Sequence, residues 1–270
     1  MPYTPFQCIF CKATTVSFTS NEHIVPESLG NTEHILPPGV VCDGCNNYFA
    51  RKIEGPILGS DLLMQARHRN GIPSKRKRVP FQSMLSFPDA LPLEMGIARD
   101  GSWYLSAADE SDNDQFIKHL LNFDRLTAVF PVAEKPERRL FSRFLLVMGI
   151  EYLAHRMLSV NDGILTDHIN NSALDEARRY SRFNEGGVDW PFHECQIYPE
   201  GKWFLDEETG LPYDIPHEFT LLYTPQQEMY FVIAIFGIQY TINLGGPEIE
   251  GFCDWLVAND NASPLYLTGT

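Results

Sequence analysis

The chain has 270 residues, 44% hydrophobic and 21% charged, which is globular composition and excludes a fibrous or disordered protein. No run approaches the roughly 18 apolar residues of a membrane span, and the first residues lack the basic and apolar regions of a secretory signal, so the expected compartment is the cytoplasm. A net charge of −14 argues against a broad polyanion surface, yet residues 1–80 carry nine Lys and Arg against six Asp and Glu, net +3, leaving −17 for residues 81–270.

From Cys8 to about Asn47 the chain is short, turn-rich and punctuated by cysteine, too small to bury a core without a staple. Asn47–Ile53 reads as the start of a helix, which Gly55-Pro56 and Gly59 should interrupt before a second helix at Asp61–Arg69. Basic residues collect late in this part, as Arg51-Lys52, Arg67-His68-Arg69 and Lys75-Arg76-Lys77-Arg78. The proline-bearing stretch 72–80 is the expected boundary, dividing the chain into 1–80 and 81–270.

Beyond it, Met95–Ala98 and Ser102–Ala107 flank Asp100-Gly101, a hairpin signal, and 109–114 reads as an acidic loop. Gln115–Asn122, Arg138–Leu158 and Leu174–Phe183 have helical spacing, the second apolar on most of its faces, as expected of a central buried helix. His193–Tyr198, Glu218–Tyr223, Met229–Phe236 and Ile238–Asn243 read as strands. Residues 81–270 are therefore expected to be α+β, with no internal repeat.

Cys8-Ile9-Phe10-Cys11 and Cys42-Asp43-Gly44-Cys45 are two knuckles whose four soft sulfur ligands suit a tetrahedral Zn²⁺; a redox dithiol is the other chemistry such pairs serve. A four-sulfur site has no open position, so it would hold the fold and leave catalysis elsewhere. Cys195 and Cys253 stand alone and are expected to be buried thiols. Between the knuckles, Glu22 offers a hard oxygen and His23 a base near neutrality, while Asn46 follows the last cysteine at the start of a helix. Taken singly, the histidine would be structural and the asparagine a helix cap.

The ordered set Cys-x-x-Cys, Glu-His-Ile-Val-Pro-Glu-Ser-Leu-Gly and Val-Cys-Asp-Gly-Cys-Asn-Asn resembles the zinc-stapled branch of the HNH endonucleases over residues 8–53. The resemblance implies an N-terminal ββα-metal module followed by a larger α+β domain. It implies that His23 deprotonates water, that Glu22 and Asn46 bind a catalytic Mg²⁺ or Mn²⁺, and that the substrate is DNA, in a setting of bacterial restriction or phage defence. The family's middle Asn falls where this chain has Leu36-Pro37-Pro38-Gly39; Asn31 and His34 are the nearest polar substitutes, and Asn47 could exchange roles with Asn46. Residues 81–270 hold no comparable constellation: His155 lies in the apolar helix, and His119, His168, His193 and His217 are scattered. Their acidity suits regulation, homo-oligomerisation or partner binding. Two other functions fit the same residues, a zinc-stapled binding module without chemistry and a nuclease switched on by a ligand of residues 81–270.

Overall fold

The computed structural model describes residues 6–74, 77–98, 102–122, 127–160, 164–187, 189–199, 204–205, 212–213 and 217–267. Lys75 and Arg76 of the basic cluster and Asp100-Gly101 of the expected hairpin turn lie outside the described residues. Two compact units make up the chain, one of Met1–Glu27, Asn31–Ile57 and Glu137–Thr270, the other of Ser28–Gly30 and Leu58–Pro136. The expected cut at residue 80 falls inside the second of these, while the cysteine segment shares its unit with the C-terminal half. A forty-residue segment buries too little surface to stand alone, and the helices of that half supply what it lacks.

Strands β1 (Glu22–His23) and β2 (Ile35–Leu36) form an antiparallel hairpin, followed by α1 (Asp43–Phe49). The helix starts four residues earlier than its spacing suggested and is not interrupted at Gly55-Pro56. It passes through a π-helical turn, Ala50–Glu54, into α2 (Gly55–Leu58). Proline lacks an N–H and its ring clashes with the carbonyl four residues back. The wider π turn, in which Gly55 N–H donates to Ala50 O, removes the need for that narrower geometry.

The second unit holds α3 (Asp61–Arg69), β3 (Gln82–Phe87), β4 (Leu91–Ile97), β5 (Trp103–Ala107), α4 (Asn113–Asn122) and β6 (Thr127–Val129). Its sheet is antiparallel in the order β5-β4-β3-β6. Along β3 buried and exposed residues alternate, and Met84 joins Leu91, Leu93 and Phe116 of α4 in a small core. The acidic stretch is a 3₁₀ turn, Glu110–Asp112, rather than an open loop; the Asp109 carboxylate caps it by accepting from Ser111 N at 2.9 Å.

The chain then returns to the first unit as α5 (Arg138–Val160), α6 (Ile164–Asn170), α7 (Asp175–Phe183) and β7 (Phe192–Gln196). A two-residue ladder follows, β8 (Phe204–Leu205) with β9 (Pro212–Tyr213), then β10 (His217–Tyr223), β11 (Met229–Ile235), β12 (Ile238–Asn243) and α8 (Glu250–Ala258). The larger sheet is antiparallel in the order β10-β11-β12-β7. With both four-stranded sheets antiparallel and helices packed on them, the fold is α+β as expected. Every residue from Phe141 to Ile150 of α5 is buried, the pattern of a helix enclosed by protein on all sides. At Gly149 a Cβ would stand 2.9 Å from Phe231 Cβ of β11, so only glycine lets helix and sheet approach this closely. No helix among the described residues is long and apolar enough to cross a membrane.

Candidate functional site

The two knuckles meet because Ile9 N donates to Val40 O at 3.1 Å, while Cys8 N and Lys12 N close the first turn through Ala13 O and Cys8 O. The sulfurs of Cys8, Cys11, Cys42 and Cys45 all lie within 4.8 Å of one another, and Cys11 and Cys42 sulfurs are 3.7 Å apart. Two thiolates at about 2.3 Å from a tetrahedral Zn²⁺ stand about 3.8 Å apart, so the donor set fits that ion. Hydrogen bonds from Cys45 and Cys8 pull the Cys11 thiol down to about 2, while Cys8 is pushed up to about 12, first by Cys11. The two lone cysteines do not match expectation: Cys195 is half-buried and Cys253 exposed.

Helix α7 clamps this cluster. Arg182 Nε–H donates to Cys45 Sγ at 3.2 Å, and its guanidinium lies 4.0 Å over the Tyr48 ring. Arg178, buried, donates from Nε to Ile9 O at 2.8 Å and from its terminal nitrogens to Asn171 O, His168 O and Asp175 Oδ1. From α5, buried Arg143 bridges Tyr48 Oη at 2.7 Å and Ser181 O at 3.0 Å. Sequence reasoning missed all three arginines. The spacing of Arg178 and Arg182, one turn apart on one helix face, was the available signal.

Between the knuckles, Glu22 pairs with Leu36 and His23 with Ile35 across the hairpin. Glu22 is buried and His23 half-buried. His23 Nδ1 has no hydrogen-bond partner among the described residues. Asn46 Nδ2 donates to Asn21 O at 3.2 Å, bringing α1 against the residue before Glu22. Asn47 instead donates to Asp43 O of its own helix at 2.8 Å and is exposed. Asp43 anchors the approach to β1: its carboxylate accepts from Thr19 N, Ser20 N and the hydroxyls of Ser17, Thr19 and Ser20. These bonds, led by Ser17, hold its pKa well below the usual carboxylate range.

Asn31 is the pin of the hairpin loop. At 1% exposure, its Nδ2 donates to Val25 O and His34 O, and its Oδ1 accepts from Glu33 N and His34 N. The His34 ring packs 4.7 Å from Phe219 of β10 and 6.2 Å from His155 of α5. A second carboxyl missed in the sequence is Glu151, 1% exposed on α5. Burial pushes its pKa well up, reinforced by the charges of Glu22, Glu54 and Cys8.

Residues 8–61 match the HNH endonuclease family. The N-terminal module is of the HNH type, and its cysteine cluster fits a zinc staple. No curated protein and no solved structure matches the chain.

Proposed function

We propose that the HNH module hydrolyses DNA phosphodiester bonds with His23 as general base and Glu22 and Asn46 as ligands of a catalytic divalent ion. The carrying observation is that α1 brings Asn46 against the start of the strand bearing Glu22 and His23, with Asn46 Nδ2 3.2 Å from Asn21 O. Glu22 and the Asn46 carbonyl offer two hard oxygens. Such a small donor set suits Mg²⁺ or Mn²⁺, which keep several waters and accept substrate oxygens. The ion would supply charge compensation at the phosphate.

His23 accepts a proton as the water oxygen bonds to phosphorus, and the bond from phosphorus to the 3′ oxygen breaks, leaving 5′-phosphate and 3′-hydroxyl ends. Asn31 and Asp43 position this site: one fixes the loop joining the strands, the other the segment leading into β1. Residues 137–270 act as scaffold for the module, through Arg143, Arg178 and Arg182. The resemblance of the motif set is what supports a setting of restriction or phage defence.

Incubation of plasmid with zinc-loaded protein and Mg²⁺ or Mn²⁺ tests the reading. Cleavage that stops when the ion is withheld, with zinc content unchanged, supports it; DNA binding without cleavage supports a binding module.

A further inference from the structure

A cavity of about 320 Å³ lies in the same unit, where the hairpin loop, α5 and β10 meet. His34, His155, His217, Arg156, Tyr152 and Phe219 line it, drawn from positions up to 185 apart in the chain. Its volume is at the lower end of the roughly 300–1,000 Å³ of ligand clefts. His155 Nδ1 and His217 Nε2 are buried and make no hydrogen bond among the described residues. Buried polar atoms are normally satisfied, so two such nitrogens on one cavity wall point to an absent ligand.

Arg156 and the three imidazoles bring donors to the wall, beside the carboxylate of Glu218 and the apolar ring of Phe219. Arg156 is exposed and makes no ion pair among the described residues. The acid lining the cavity, Glu218, has both oxygens within hydrogen-bond distance of Tyr198 Oη, at 3.2 and 3.1 Å. Among the described residues, the cysteines form the one group whose ligand atoms converge as a metal site, and the three imidazoles are not part of it. Spread donors around an unpaired guanidinium match the several oxygens of a tetrahedral anion.

We infer that this cavity binds a phosphate group, carried either by the nucleic-acid strand beside the cleavage site or by a free nucleotide. Its position suits the first source: Ile24 N donates to His34 O at 3.1 Å, one residue from His23. None of its side chains is assigned to water activation or to the divalent ion, so the site does not depend on cleavage.

Calorimetric titration of the full-length, zinc-loaded protein with inorganic phosphate, 5′-AMP and a short single-stranded DNA, without added Mg²⁺ or Mn²⁺, tests it. Arg156→Ala, at an exposed position, should keep the thermal unfolding of the parent and weaken binding at least tenfold. A His155→Asn, His217→Asn double variant should do the same. Binding of phosphate or 5′-AMP assigns a free nucleotide; binding of DNA alone, weakened by the same variants, assigns the strand. Failure of all three probes at millimolar concentration overturns the inference, as does equal binding by Arg156→Ala. So does a second bound Zn²⁺ lost in the double histidine variant. Phosphate binding in a protein that cuts no DNA would sink the nuclease reading alone.

Discussion

Arg182 and Cys45 stand 137 positions apart, yet the arginine Nε–H donates to the cysteine sulfur at 3.2 Å. A donor aimed at a metal thiolate reduces its charge and fixes its orientation, and loss of such an outer partner typically costs about 10–100-fold in metal affinity. Arg182→Ala should therefore release zinc to a chromogenic chelator at 10–100-fold lower chelator concentration than the parent. Unchanged retention would reduce Arg182 to a packing residue over Tyr48.

Asn31 makes four hydrogen bonds from a buried side chain. Asn31→Ala strands buried backbone groups of the loop, and should cost about 2–4 kcal/mol in denaturant unfolding. Asn31→Asp keeps the two accepted bonds and should fall between parent and alanine variant.

Asp43 should govern order in the segment before β1. In hydrogen exchange, Asp43→Ala should speed exchange at the Thr19 and Ser20 amides, which donate to its carboxylate. Its folded pKa is depressed, so its contribution is full above the ordinary value of about 3.9 and is lost as pH falls below that toward the folded pKa. At neutral pH these amides should therefore stay protected in the parent.

Glu151 has the opposite sign. Its folded pKa is raised, so the folded chain keeps a proton that the unfolded chain releases; stability is highest below about pH 4.3 and declines as pH rises toward the folded pKa. Glu151→Gln keeps the shape and removes the titration. Its Tm at pH 8 should exceed that of the parent by a few degrees, with zinc saturating, and the gap should narrow at pH 5. A lower Tm at pH 8 would mean that an ionised Glu151 is engaged.

Elements with strong periodicity were legible from sequence. The helix at Asp61–Arg69 matches end to end, α5 is the buried central helix its apolar faces announced, and the four expected strands after residue 190 form one sheet. Strand β3 was not legible because Gln82 and Ser86 occupy its buried face. Helices α6 and α8 are short and take their burial from packing rather than from a local pattern. In the candidate site, Glu22, His23 and Asn46 could be proposed from sequence because they lie within 25 residues. The grouping of His34, His155 and His217, and the grip of Arg178 and Arg182 on the knuckles, arise from tertiary contacts that no local spacing encodes.

The central claim is that His23 activates water in a zinc-stapled module, and its direct measurement is single-turnover DNA cleavage by His23→Ala beside the parent at equal zinc content and equal Tm. Loss of a general base predicts a fall of about 10²–10⁴-fold in rate with DNA binding retained. Cleavage by His23→Ala at the parental rate, or a parent that binds DNA without cutting it in Mg²⁺ and Mn²⁺, would contradict the account.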